Sequence, residues 1–174
     1  MKGSGLRSEG HLLIGCPVYA RDWIIERWLE HIEAAALRAG VQADVLLLGP
    51  QGDLTFASGR RVARRLGLRL DVVDSGEEPK STGVAEVGPW RTWSNGRLAH
   101  MVRVRNQLLE AVRRIAPRYF LSLDSDVLLH ESSISNMLDT VSTSSFSAVG
   151  GRTYLTPAGG HAPSYAVIDE SGLL

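Results

Sequence analysis

Short apolar runs alternate along the chain with stretches whose apolar residues recur at helical spacing. The apolar runs predict strands at residues 11–16, 44–48, 68–73, 119–124 and 146–149. The stretches between them predict helices over residues 22–40, 58–66, 97–115 and 133–141. This alternation is typical of an α/β domain in which helices cover both faces of a mostly parallel sheet.

The first predicted helix shows the pattern most clearly. Asp22 is a candidate N-cap, and Gly40 is a candidate C-terminal stop. Between them, five apolar residues are spaced to form one buried stripe: Ile25, Trp28, Leu29, Ile32 and Ala36.

With 174 residues, the chain has the length of a single domain. Residues 1–10 are expected to be a flexible N-terminal tail, and residues 11–151 the globular domain. Residues 75–96 form one long stretch without periodicity that contains Trp90, Arg91 and Trp93. Two interpretations are equally open for it, a functional lid or a loop that its tryptophans hold against the core.

The composition narrows the range of partners and locations. The formal net charge is zero, which argues against nucleic-acid binding through bulk electrostatics. Four arginines in residues 59–65 are expected to lie on the solvated face of a short helix. Cys16 is the single cysteine, which favours a cytoplasmic location and a small buried side chain rather than a nucleophile. The sequence contains no apolar segment of transmembrane length, although peripheral membrane contact stays open.

The first candidate functional residues are Asp124 and Asp126, which follow the apolar run that starts at Tyr119. Ligands of open α/β sheets bind at the carboxyl edge of the strands, where these carboxylates would lie. Two hard oxygen donors there suit a divalent cation that holds a diphosphate. The alternative is that the two acids only cap the following turn.

Arg105 is the second unusual residue. It falls within the apolar face that the helical spacing predicts for residues 97–115, formed by Leu98, Met101, Leu108, Leu109, Val112 and Ile115. Charged residues expected in solvent lie opposite, namely Arg103, Glu110 and Arg114. A guanidinium on a face against the sheet requires an anionic partner. Asp124 and a bound phosphate are both candidates.

Three ordered segments resemble the family 2-type glycosyltransferases: Leu13-Ile-Gly-Cys-Pro-Val-Tyr19, Val104-Arg-Asn-Gln-Leu-Leu109 and Leu123-Asp-Ser-Asp126. The last two are also similar to the Golgi mannan-polymerase type of mannosyltransferase. The resemblance covers residues 11–151 and implies a Rossmann-like GT-A fold that corresponds to the donor-binding half of a usual member. Residues 152–174 would then begin a truncated acceptor-side region.

The resemblance also implies roles for individual residues. Pro17 and Tyr19 would line the nucleobase pocket, Arg105 would approach the nucleotide or diphosphate, and Asp124 would meet the ribose or donor sugar. Asp126, together with Asp124, would hold Mn²⁺ or Mg²⁺. The donor would be a nucleotide-sugar, and the acceptor an unspecified glycan, lipid or protein.

The sequence departs from the family pattern in three places. The second strand is followed by Gly49-Pro50-Gln51 instead of the usual aspartates, so Gln51 or Asp53 would have to substitute for them. Ala20 stands where the family has asparagine. No general base can be assigned, because the last carboxylates, Asp169 and Glu170, match no family motif.

Other assignments remain weaker. His130 or His161 could complete a metal site but are more simply surface residues, and Gly150-Gly151-Arg152 could approach a donor sugar. A truncated or degenerate domain that binds nucleotide-sugar without turnover is the main alternative function. A phosphatase similar to the haloacid dehalogenases is disfavoured, because no lysine follows Asp126.

Overall fold

A computed structural model describes residues 11–76, 95–145 and 148–149 of the chain. Strands and helices alternate through these ranges. The strands are β1 (Leu12–Pro17), β2 (Ala43–Gly49), β3 (Arg69–Asp74) and β4 (Tyr119–Ser122). The helices are α1 (Ile25–Ala39), α2 (Leu54–Leu66), α3 (Asn95–Ile115) and α4 (Ser133–Thr143).

The four strands form one parallel sheet in the order β3-β2-β1-β4. Alternate residues of β1 and β2 point to opposite faces, and both faces are covered. Helices α1, α2 and α4 pack on one face, around Ile14, Cys16 and Leu47. Helix α3 packs on the other face, against Leu13, Leu46 and Leu48. The predicted α/β class, with helices on both faces of a parallel sheet, is confirmed.

Helix α1 supplies much of the larger core. All five residues of its predicted apolar stripe are buried, and Trp28 has no exposed surface. The helix ends as predicted, because Gly40 adopts the left-handed conformation and its N–H bonds back to the last turn. The predicted start was wrong. Ile24 occupies the N-cap position without a side-chain hydrogen bond, and Asp22 is exposed in the preceding turn.

Helix α2 begins four residues earlier than the periodicity predicts, at Leu54 rather than Ser58. The cause is Asp53, whose side chain accepts a hydrogen bond from the backbone N–H of Thr55 at 2.8 Å. Aspartate is a strong N-cap, so the helix starts at the capping residue rather than at the first apolar repeat.

The prediction for the apolar face of α3 was partly wrong, because two of the residues assigned to that face are exposed. Leu98 and Leu109 are 53% and 44% exposed, whereas Leu108 and Ala111 are buried against the sheet. The contact face is completed by partly buried residues, namely Val104, Val112 and Ile115. Because this face is narrower than the run of apolar residues, Arg105 lies at its edge and not beneath the helix.

Several predicted features lie outside the described residues. They include the N-terminal tail, most of the loop with Trp90, Arg91 and Trp93, and everything after Val149. The predicted strand at 146–149 falls half outside them, and its described half, Ala148 and Val149, is not in a strand. Within the described ranges, no helix combines the length and apolar character that crossing a bilayer requires.

Candidate functional site

The order of the strands places β1 and β4 side by side, so the residues that follow them meet at the carboxyl edge of the sheet. From β1 the chain moves outward through β2 and β3, and then returns to place β4 on the other side of β1. The strand order therefore reverses between β1 and β4, and open α/β sheets bind their ligands at the carboxyl edge beside such a topological switch point. The segments that follow these two strands lie side by side and lead to α1 and α4, which pack on the same face. Tyr19 follows β1 and Asp124 follows β4, so the fold brings two of the predicted site residues to one place.

Tyr19 presents its ring at this edge. Its side chain is 46% exposed, and the preceding Val18 is buried and donates its N–H to the carbonyl of Leu48 at 2.8 Å. Gly49 permits this close approach of the two chains, since a Cβ atom there would collide with the carbonyl oxygen of Val18. Pro17, the last residue of β1, is partly buried. The segment after β1 is thus held in place, while its aromatic side chain stays accessible.

Arg105 reaches the same edge from α3. Its Nη2 donates to Oδ1 of Asp124 at 3.0 Å, so the structure contains one of the two partners predicted for the guanidinium. The expectation that Arg105 would be buried was wrong, because the two side chains are 44% and 55% exposed. A pair this accessible keeps both groups within reach of a ligand.

Three hydrogen bonds to backbone atoms hold the chain around the two aspartates in place. The carbonyl of Asp124 accepts hydrogen bonds from Nε1 of Trp28 and from the N–H of Val127, both at 3.1 Å. The N–H of Leu123 bonds to the carbonyl of Gly15 at 3.0 Å. A loop fixed through its main chain presents its carboxylates without further ordering, which is the condition for a preorganised site.

Ser125, between the two aspartates, points inward and is only 6% exposed. Its Oγ accepts a hydrogen bond from Nε of Arg21 at 3.2 Å. Arg21 belongs to the segment after β1, so this bond crosses the switch point and joins the two loops that border it. No sequence motif indicated that Arg21 has this role.

Asp124 and Asp126 carry the carboxylate oxygens that a small divalent cation prefers. Asp126 is exposed, and no described residue forms a hydrogen bond or ion pair with its carboxylate. In the part of the chain that the structure describes, no three His, Cys, Asp or Glu residues cluster closely enough to hold a metal by themselves. Mg²⁺ usually needs only one or two carboxylates, because substrate phosphates and water complete its coordination. Asp126 and the second oxygen of Asp124 would be the protein ligands of such a cation, because Oδ1 of Asp124 bonds to Arg105.

Recognition of a nucleobase would require a carboxylate that is exposed and free of other hydrogen bonds. Asp53 does not provide one. Its Oδ2 accepts from the N–H of Ala20 at 2.7 Å, and its Oδ1 accepts from both the N–H and the hydroxyl of Thr55. Both oxygens therefore stabilise the local fold. Gln51, the other predicted substitute, is exposed beside it. The pattern Asp-x-Thr before a helix was a capping signal that the sequence already contained.

Of the remaining candidates, His130 and Cys16 lie within the described residues. His130 is exposed, and its Nδ1 lies 2.8 Å from Oγ of Ser132. His161 lies outside the described residues, as do Gly150-Gly151-Arg152, Asp169 and Glu170. Cys16 is fully buried, and burial, reinforced by the negative charge of Asp124, raises the pKa of its thiol. A neutral, inaccessible thiol agrees with the predicted packing role.

Comparison with protein-family models, curated proteins and solved structures found no match to this chain. The features that bear on function are therefore the geometry of the switch point and the chemistry of Asp124, Asp126, Arg105 and Tyr19.

Proposed function

We propose that this chain is a glycosyltransferase domain that binds a nucleotide-diphosphate sugar through a divalent cation and transfers the sugar to an acceptor. The main support is the position of Asp124 and Asp126, two exposed carboxylates on an anchored loop at the topological switch point. The adjacent Arg105 supplies a cation for the diphosphate, and Tyr19 supplies a ring for the nucleobase.

The reaction explains why these groups would be needed together. An acceptor hydroxyl forms a bond to the anomeric carbon, while the bond from that carbon to the diphosphate oxygen breaks. The electron pair of the broken bond stays on the leaving nucleoside diphosphate, and the hydroxyl proton passes to a base that we do not assign. A bound Mn²⁺ or Mg²⁺ would stabilise the charge that develops on the leaving group.

Each described residue would then have a separate task. Asp126 and Asp124 would hold the cation, and Arg105 would move its hydrogen bond from Asp124 to a phosphate oxygen when the donor binds. Arginine suits this exchange because its planar fork matches carboxylate and phosphate equally well. Arg21 and Trp28 would keep the aspartate loop in position through Ser125 and the carbonyl of Asp124.

Binding without turnover is the second candidate function. This second function must be tested because one predicted ligand-reading residue is not available. Both carboxylate oxygens of Asp53, at the carboxyl edge, already accept hydrogen bonds within the fold. The two functions differ in whether nucleoside diphosphate is released from a bound donor when water or a simple sugar is offered as acceptor. Release above the uncatalysed rate supports the transferase.

Calorimetric titration with UDP-, GDP- and dTDP-sugars, with and without Mn²⁺, tests the proposed site directly. We expect at least one donor to bind in the presence of Mn²⁺ and to bind at least about tenfold more weakly after chelation, a difference of about 1.4 kcal/mol. The free nucleosides serve as controls, because they lack the diphosphate and should show no dependence on the metal. If no donor binds, or if binding is indifferent to Mn²⁺, the proposal is wrong.

Replacing Arg105 by glutamine separates its role in binding from its role in folding. The pair with Asp124 is about half exposed, so its loss should lower the free energy of unfolding by less than about 1 kcal/mol. Donor binding should weaken about tenfold, because a charge-assisted hydrogen bond to phosphate is lost. Denaturant unfolding and calorimetry give the two values. Arg114→Gln, an exposed arginine on the same helix, is the control and should leave donor binding unchanged.

A further inference from the structure

Three large side chains are exposed at the carboxyl edge of the sheet. Trp23 and Leu54 are 69% and 68% exposed, and Tyr19 is 46% exposed. We call these three residues the apolar tip. Tryptophan and tyrosine combine an apolar ring with a polar group, which is why both are enriched where a protein meets the boundary between lipid and water.

The segments that carry the apolar tip are fastened to each other. The N–H of Ala20 donates to Oδ2 of Asp53 at 2.7 Å, and the N–H of Arg21 donates to Oγ1 of Thr55 at 2.9 Å. Residues 19–23 and 53–55 are thereby held side by side. The apolar tip is a fixed part of the surface and does not depend on one loop closing over another.

A row of positive charge continues from the apolar tip along α2. The exposed residues Arg60, Arg61 and Arg64 form this arginine stripe, and the sequence of α2 contains no acidic residue. Seven residues separate Leu54 from Arg61, which places them on one side of the helix, about 20° and about 10 Å apart. Arg64 lies about 80° and Arg60 about 120° from Leu54 around the helix axis, so Arg61 is the guanidinium nearest to Leu54 and the other two extend the exposed face away from it.

The acidic residues near this surface do not neutralise the positive charge of the arginine stripe. Glu26 and Glu30 of α1 each accept a hydrogen bond from Arg65 at 2.7 Å, so the charges of these two residues are directed to Arg65. Asp53 is committed to Ala20 and Thr55, and Asp22 is exposed near Trp23. The positive charge is therefore confined to the arginine stripe, because the exposed carboxylates of Asp22, Asp124 and Asp126 lie at the carboxyl edge with the apolar tip.

We propose that the apolar tip and the arginine stripe together bind an anionic phospholipid bilayer. Guanidinium groups would lie against the lipid phosphates, while Trp23 and Leu54 would enter the boundary between headgroups and acyl chains. A nucleic acid would satisfy the arginines but offers no apolar surface to Leu54. A symmetric contact with a second copy would place the arginine stripe against itself, which like charges oppose.

The apolar tip lies at the carboxyl edge, as do the candidate site residues Asp124 and Asp126. A bilayer bound there would lie beside them. Tyr19 is shared by the apolar tip and the proposed nucleotide site, so the variants that test membrane binding leave it unchanged, and their outcome does not depend on the transferase activity.

Co-sedimentation of the 174-residue chain with lipid vesicles provides the test. Vesicles of phosphatidylcholine alone are compared with vesicles that also contain phosphatidylserine, at low and at high salt. We expect binding to the anionic vesicles at low salt, weak or no binding to phosphatidylcholine, and release as salt screens the charges. Arg60→Gln combined with Arg61→Gln should weaken binding about tenfold or more, and Trp23→Ala combined with Leu54→Ser should do the same.

Arg113→Gln combined with Arg114→Gln is the matched control. It removes the same charge from exposed positions on α3, on the opposite face of the sheet, and should leave vesicle binding unchanged. Circular dichroism confirms that each variant is folded. The proposal is overturned if the control variant loses as much binding as the stripe variant, or if the wild-type chain ignores anionic vesicles. It is also overturned if a DNA duplex binds more tightly than the vesicles, or if only self-association depends on Leu54.

Discussion

Trp28→Ala is expected to lower the free energy of unfolding by about 3–5 kcal/mol, the usual cost of emptying a tryptophan site in a core. The side chain has no exposed surface and lies between the sheet and the neighbouring helices. The same substitution removes the hydrogen bond that holds the carbonyl of Asp124. Denaturant unfolding monitored by circular dichroism measures the change.

Two further variants show which part of the effect comes from packing. Leu37→Ala, on the same helix, removes a side chain that is 74% exposed and should change the free energy of unfolding by less than about 0.5 kcal/mol. Trp28→Phe keeps an aromatic ring in the core but loses the indole N–H, and should cost about 1–2 kcal/mol. A Trp28→Ala variant as stable as Leu37→Ala would contradict the packing described for α1.

Asp126→Asn is expected to weaken Mn²⁺-dependent donor binding at least about a hundredfold, which corresponds to about 2.8 kcal/mol. Asparagine has nearly the same shape but lacks the charge that a hard cation requires. The side chain is exposed and has no partner among the described residues, so the free energy of unfolding should change by less than about 0.5 kcal/mol. Calorimetry with the best donor of the nucleotide-sugar panel measures the loss.

The matched control is Asp139→Asn, which removes an equal charge from an exposed position on α4. It should bind donor as the wild-type chain does. The metal assignment is wrong if Asp126→Asn and Asp139→Asn bind equally well. A donor that still binds Asp126→Asn, but no longer responds to Mn²⁺, would show that Asp126 holds the cation while other residues hold most of the nucleotide.

The fold could be predicted from the sequence because buried apolar residues recur at the regular spacing of strands and helices. Alternating strands and helices, and the stripe on α1, follow directly from which side chains must leave water. The ends of the helices were harder to predict, because each end depends on a few polar contacts. Asp53 starts α2 by accepting hydrogen bonds from the N–H and the hydroxyl of Thr55, whereas Asp22, the predicted N-cap of α1, forms no cap.

The site was predictable only in part, for the same reason. The two aspartates stood out because charged residues closed an apolar run, and Arg105 stood out because it interrupted one. The contacts that hold these residues join segments far apart in the chain. Arg21 bonds to Ser125, and Trp28 bonds to the carbonyl of Asp124, across about a hundred residues that no local pattern spans.

Ala20 illustrates how such contacts can override the preference of a residue. Its φ angle is 50°, in the left-handed region that alanine seldom adopts, and its N–H is held by Asp53. Asparagine tolerates that conformation far better. The bend after β1 is therefore imposed on Ala20 by its surroundings, and replacing Ala20 by asparagine would relieve local backbone tension without changing the course of the chain.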